Sequence, residues 1–309
     1  MQERDIQAII EAVLAEIEDS SRQATGSPVT STVQNAAGTT VETDRPDGGG
    51  SDGLRIDLDD PTLPAARQRP GIEKPIHPDG LRALMAATPA RIGVGRSGPR
   101  PRTAASLLFL ADHGVTQDAL MHAVDANLLE ELGLFSVESQ AADRQTYLKR
   151  PDMGRRLTEA SKAILRDRCT KNPDVQIFVG DGLSGAAIDH NLRQIMPVLQ
   201  QGLNSAGLSM GTPFFVKNAR VGLLNDVNSI IDAKVCAILI GERPGLARAQ
   251  SMSIYVGYRP QPDATDANRD AICNIYAGGL NPLEAGAHAV QLIQTMIRDK
   301  TSGVERNRV

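Results

Sequence analysis

Glu242 is the residue that type and context place best for chemistry. It stands between Gly241 and Arg243, directly after the near-continuous apolar run Val235 to Ile240. A carboxylate at the mouth of a buried strand either pairs with a neighbouring guanidinium or accepts hydrogen bonds from a ligand, and both uses can coexist. The word DGLS, Asp181 to Ser184, follows an earlier β-type run, Val175 to Val179. Asp181 is suited to capping the next helix. Ser184 is a nucleophile by type alone, because GxSxG is missing and no histidine stands near it in a recognisable arrangement.

The stretch GVGRSG, Gly93 to Gly98, matches the GxGxxG phosphate word, which needs a strand before it and a helix opening directly from it. Here Pro99 and Pro101 follow at once. A tight turn is therefore expected, with Arg91, Arg96, Arg100 and Arg102 forming a basic surface able to hold carboxylate or phosphate by forked hydrogen bonds. A nicotinamide-dependent oxidoreductase is one alternative that this word leaves open, and a non-catalytic assembly protein is another. Arg144 to Lys171 carries nine basic residues, by default a solvated helix face. Within it, Arg155 and Arg156 stand where a helix would start, and positive charge there opposes the helix dipole unless an anion or carboxylate neutralises it. Cys169, Cys236 and Cys273 form no CxxC pair, and the five histidines form no HExxH, so neither a disulfide framework nor a protein-built metal site is expected. A reducing cytoplasm fits these thiols.

The elements that must position these residues are an alternation of strands and helices. Val175 to Val179, Thr212 to Val216 and Val235 to Ile240 read as strands, separated by helical spacing at Ile188 to Ala206 and Val221 to Asp232. This predicts an α/β fold, a Rossmann-like parallel sheet with flanking helices, whose ligands bind at the carboxyl ends of the strands. Met252 to Tyr258 reads as a further strand and Leu283 to Asp299 as a closing helix. Residues 151–309 form this lobe in the expected division, preceded by a mainly helical lobe at 54–150. Before them stand an amphipathic leader helix at 1–19, with Ile6, Ile9, Ile10, Val13 and Ile17 on one stripe, and a disordered linker at 20–53.

Charge follows the same division. The net charge of −4 over 309 residues conceals 13 acids against 4 bases in residues 1–60 and 24 acids against 29 bases in the rest, a split of −9 and +5. Neither part is basic enough to argue for nucleic acid. With 5 Phe, 4 Tyr and no Trp, a single-strand platform of stacked rings is excluded. No apolar run approaches the ~18 residues of a membrane span. The start MQERDIQ lacks the basic and apolar regions of a secretory signal, so neither membrane nor export is expected.

The words RSGPRPRT, RPDMGRRL, VGDGLS, GTPFFV, GERPG and ICNI, in this order, resemble the small subunit of ethanolamine ammonia-lyase. The similarity covers about residues 80 to 300. The resemblance implies an adenosylcobalamin enzyme that converts ethanolamine to acetaldehyde and ammonia. The substrate pocket and catalytic side chains would lie in a large subunit, so no catalytic residue is expected in this chain. The cofactor would lie between the two chains, against the parallel-sheet lobe. By the same resemblance Val221 and Glu242 are cofactor contacts. A third family position, a cysteine three residues before an asparagine, falls here on Ala271, while Cys273 directly precedes Asn274; a backbone contact at Ala271 survives that change and a thiol contact does not. The DxHxxG word of chains that displace cobalamin's own base is missing, since His113 and His190 directly follow Asp112 and Asp189, and a base-on cofactor is implied. Leaders of this kind in the family resemble encapsulation peptides, which makes a microcompartment shell protein a candidate partner and the microcompartment a candidate address within the cytoplasm.

Overall fold

The computed structural model describes residues 68–88 and 90–308. The expected leader, the linker and the start of the expected helical lobe lie outside the described residues. The chain divides into two compact units, one of them Ala15–Leu108 and the other including Phe109–Val309.

In the first unit, helix α1 (Pro78–Ala87) opens with proline at its first position, where no amide hydrogen bond is lost. The short strands β1 (Arg96–Ser97) and β2 (Arg100–Pro101) then pair antiparallel. The glycines of GVGRSG serve this turn. Gly93, Gly95 and Gly98 all have positive φ, and a Cβ on Gly95 would stand 2.2 Å from the Gly71 carbonyl oxygen. The word opens into a hairpin and not directly into a helix, which removes the structural support for a nicotinamide site. Helix α2 (Thr103–Met121) begins in this unit.

The second unit is a mixed sheet with helices on both faces. After α3 (Ala126–Glu131) come β3 (Phe135–Glu138), α4 (Arg144–Lys149), α5 (Glu159–Arg168), β4 (Val175–Gly180), α6 (Gly185–Ser205), β5 (Phe214–Lys217), α7 (Leu223–Ile231), β6 (Val235–Gly241), β7 (Met252–Tyr258), β8 (Asp270–Ile275) and α8 (Pro282–Asp299). The six strands lie in the order β3-β5-β4-β6-β7-β8. The first four run parallel, with Val175 opposite Val235 and Phe178 opposite Phe214. Every residue of β4 and β6 is buried, as strands covered on both faces require.

The expected α/β fold, a mostly parallel sheet with flanking helices, is present, and its outer strands β7 and β8 run antiparallel to their neighbours. Residues 242–251 between β6 and β7 are too few for the helical crossover that a parallel return needs, about a dozen residues or more. In addition, β3, before residue 151, joins the same sheet as the later strands, so the sheet draws on both sides of the expected division at 150/151.

The helices follow from the apolar stripes. On one face α6 places Ile188, Leu192, Ile195, Leu199 and Leu203 against Val175, Ile177, Val179 and Leu239, and α8 adds Ala289, Val290 and Ile293. On the other, Leu165 of α5 and Leu223, Leu224 and Val227 of α7 cover Phe178, Phe214, Val216, Ile238 and Ile240. Each such fully buried aliphatic side chain contributes about 1.5–3 kcal/mol by leaving water. All four parallel strands thereby end on one edge, which carries the loops after Gly180, Lys217 and Gly241.

Candidate functional site

The loops at the carboxyl edge are held from several sides. Ser184 caps α6 by accepting from the Ala187 amide and also donates to the Ala249 carbonyl at 2.5 Å. It is therefore a structural hydroxyl, not a nucleophile. Asp181 does not cap that helix. Its two carboxylate oxygens accept from the Asn218 and Ala219 amides, both at 2.9 Å, across the gap between β4 and β5. Burial pushes its pKa up, opposed by those amides and by the Arg144 charge. Arg144, from the basic stretch expected to be solvated, turns inward, with Nη1 3.6 Å from Asp181 and donating to the Gly182 carbonyl at 2.8 Å.

The β6–β7 loop is tied to both α2 and α6. Thr116 donates to the Gly245 carbonyl at 3.0 Å, the Ala247 amide donates to the Asp112 carbonyl, and Asn191 donates to the Gln250 carbonyl at 2.8 Å. Glu242, at its start, engages Ser251, Ser253 and Asn274 rather than Arg243. Its carboxylate accepts from the Ser251 hydroxyl at 2.7 Å, from the Ser253 hydroxyl at 2.5 Å and from the Asn274 amide at 2.7 Å, which joins the ends of β6, β7 and β8.

The Asn274 amide reaches Glu242 because β8 bulges. The register between β7 and β8 shifts between Met252 and Ile254, and Asn274 takes φ of 63°. Asn218 and Ala247 also stand at positive φ, so the β5 loop, the β6–β7 loop and the end of β8 each hold a residue in a sparsely populated backbone region. Such conformations persist where the surroundings over-determine them and concentrate at functional sites.

The outer end of the sheet leaves one face open beside these loops. Met252, Ile254 and Val256 of β7, with Ile275 of β8, are buried in the core shared with α8. On the opposite face Tyr255 is partly buried, and its register partner Ala271 is exposed, as is Cys273. Burial, then the charges of Cys273 and Glu242, push the Tyr255 hydroxyl above its ordinary pKa. Val221 and Tyr255 both pack against the cluster under α7. Arg155 ends a single 3-10 turn instead of starting a helix, and its side chain lies against Gly222, where a Cβ would meet Arg155 Cγ at 2.8 Å. Glu242 thus meets the end of β8, where Ala271 and Cys273 are exposed, and Val221 packs against the same cluster as Tyr255. Tyr255 was not singled out from the sequence; the alternation of Ser253, Tyr255 and Gly257 in β7 was the signal for the face it occupies.

The sequence profile of the ethanolamine ammonia-lyase light chain (EutC) matches residues 78–306. The chain belongs to this family. It is accordingly a subunit of a lyase of ethanolamine catabolism, and a light chain implies a large-subunit partner. Among the described residues of this light chain no helix is long and apolar enough to cross a membrane, and no three His, Cys, Asp or Glu side chains gather as a metal site.

Proposed function

We propose that this light chain supplies one wall of the adenosylcobalamin site of ethanolamine ammonia-lyase, at its interface with the large subunit, and is inactive alone. The observation that carries the reading is the open flank at Ala271 and Cys273 of β8, beside Tyr255 and the Glu242 carboxylate that holds the Asn274 amide, with Val221 packed against the same cluster as Tyr255. The residues fit such a group. Small exposed side chains on an edge strand let a broad ring system approach the backbone, whose outward N–H and C=O groups suit the corrin's amide arms. Glu242 already accepts three hydrogen bonds, and a carboxylate has about four acceptor sites, so it can take one amide more while fixing the strand ends. Val221 offers a branched apolar wall, and Arg155 beside Gly222 places positive charge where the cofactor's nucleotide phosphate could pair with it.

The chemistry that this group supplies when bound is radical hydrogen abstraction from ethanolamine, leading to acetaldehyde and ammonia; this chain's part is to hold and orient it and to exclude water. Co-expression with a large subunit and an acetaldehyde assay with added adenosylcobalamin test the reading. Activity should require both chains, and Val221→Arg or Ala271→Trp should raise the cofactor KM about tenfold or more, the equivalent of one or two lost contacts, with the ethanolamine KM unchanged. An unmoved cofactor KM in both variants refutes the wall. The cofactor is held base-on in this reading, because His113, His190 and His288 lie within α2, α6 and α8, His77 precedes α1, and His122, just after α2, pairs with Asp189 of α6. In the electron paramagnetic resonance of the reduced holoenzyme, a nitrogen superhyperfine splitting that changes with nitrogen-labelled histidine would overturn that assignment.

The stripe of Ile6, Ile9, Ile10, Val13 and Ile17, with the Ser-, Thr- and Gly-rich stretch after it, supports a second proposal, that residues 1–19 address the enzyme to a shell protein through the linker at 20–53. Replacing Ile9 and Val13 by Glu should leave catalysis intact and abolish co-sedimentation with shells. Unchanged sedimentation would count against the address.

A further inference from the structure

The connections of the sheet part between β4 and β5: β4 leads into α6 on one face and β5 into α7 on the other. In open α/β sheets the crevice at that point commonly admits the ligand. Here it is filled from within. Asp181 crosses it to the Asn218 and Ala219 amides, and Tyr147, fully buried, donates from the other side to the Ala219 carbonyl at 3.0 Å. The Tyr147 ring lies between two guanidinium groups, Arg144 at 4.6 Å and Arg220 at 4.2 Å. Ser139 donates to the Asn218 carbonyl at 2.8 Å, the Asn218 side chain donates to the Ala141 carbonyl at 2.9 Å, and the Arg220 amide donates to the Gly154 carbonyl at 2.9 Å. The backbone N–H groups of residues 218–220 and the carbonyls of Asn218 and Ala219 are therefore all engaged, and Asn218 is held at φ of 56°, a conformation that costs a non-glycine residue about 1–3 kcal/mol unless its surroundings impose it.

We infer that Asp181, with Tyr147 closing from the opposite side, is a positioning clamp for the segment 218–222 and sets the place of Val221 without touching cofactor or substrate. The inference rests on the reading that Val221 lies against adenosylcobalamin. The segment runs directly into Val221 and Gly222, so a backbone released at Asn218 reverts toward negative φ and carries Val221 with it. A role confined to stability would lower the melting temperature and leave the affinity for cofactor alone.

The test uses the full light chain assembled with its large subunit. In Asp181→Asn one carboxylate oxygen becomes an amide nitrogen that faces a backbone N–H, so one of the two bonds is lost at constant volume. Hydrogen exchange should accelerate in the peptide 214–223 and not in 175–180. The dissociation constant of adenosylcobalamin, titrated by absorbance, should rise about tenfold, with the ethanolamine KM unmoved. Tyr147→Phe, which deletes only the donor to Ala219, is the milder variant should Asp181→Asn fail to assemble, and should move both readouts in the same direction by a few fold. Unchanged exchange in 214–223 overturns the clamp. Accelerated exchange with an unchanged dissociation constant overturns its link to the cofactor, provided Val221→Arg does weaken binding. If Val221→Arg also leaves binding unchanged, it is the cofactor wall that has failed.

Discussion

The three thiols of the chain differ in what surrounds them, and the difference is measurable. Cys169 and Cys236 are buried, and burial pushes both thiols above their ordinary pKa, so the reactive thiolate is scarce there. Cys273 is exposed on the flank assigned to the cofactor. Of the three thiols of this chain, iodoacetamide should therefore label only Cys273 in the assembled enzyme without cofactor, and adenosylcobalamin should slow that labelling. Equal rates with and without cofactor would remove Cys273 from the site. Asp174 carries a second prediction. It accepts from Lys234 at 2.7 Å and from the Ser209 amide and hydroxyl at 2.9 and 2.7 Å. Lys234 first, and then the Ser209 donors, pull its pKa from 3.8 to about 2. A carboxyl lowered in the folded state stabilises above its unfolded pKa and loses that contribution as pH falls through the folded value. Asp174→Asn should consequently lower the urea midpoint at pH 7, by an amount that shrinks between about pH 4 and pH 2. A deficit independent of pH would show that packing and not charge is at stake. Glu242 was legible as a strand-end carboxylate, but its partners were not, because Ser253 and Asn274 stand 11 and 32 residues further along the chain and meet it only once the sheet has formed.

Helices α6 and α8 approach closely through glycine. A Cβ on Gly286 would stand 2.9 Å from Val198 Cγ1 and 3.0 Å from Val198 Cβ, and one on Gly202 would stand 2.7 Å from Val290 Cγ2. Alanine is favoured over glycine inside a helix by about 1 kcal/mol, but overpacking a tight contact costs about 1–3 kcal/mol. Because Val198 Cβ is fixed to its backbone, the clash decides the sign at Gly286. Gly286→Ala should lower the melting temperature, and adding Val198→Ala should recover part of the loss; a stabilised Gly286→Ala would mean that the helices separate freely. The stripe of α6 and the continuous apolar runs of β4 and β6 made these elements legible from sequence, because burial on one stripe or on both faces leaves a periodic trace. β3 and β8 left little trace. β3 has four residues, and β8 is an edge strand interrupted by a bulge, with only Ile275 buried. The change from parallel to antiparallel at β7 depends on loop length and direction, and apolar periodicity encodes neither.

At the scale of the whole molecule, α2 is the element whose sequence and surroundings disagree. It carries Leu107, Leu108, Phe109 and Leu110 in succession, yet of its 19 residues only Asp112 and Ala119 are buried, and Leu110 and Met121 are each 60% exposed. Those two are about three helical turns apart and share a face. A helix apolar over most of its surface belongs inside a larger assembly, and a light chain has a large-subunit partner to complete one. The body's excess of basic over acidic residues lets electrostatic steering assist the encounter without supplying this apolar contact. Replacing Leu110 and Met121 together by Gln should leave the melting temperature of the free light chain nearly unchanged, since exposed substitutions alter stability by about 0.5 kcal/mol or less. The same pair should reduce co-purification with the large subunit and raise the dissociation constant of the complex about tenfold or more, as the loss of two apolar contacts of about 1 kcal/mol each implies. Undiminished co-purification would place the subunit interface elsewhere and leave the exposure of α2 without a partner to explain it.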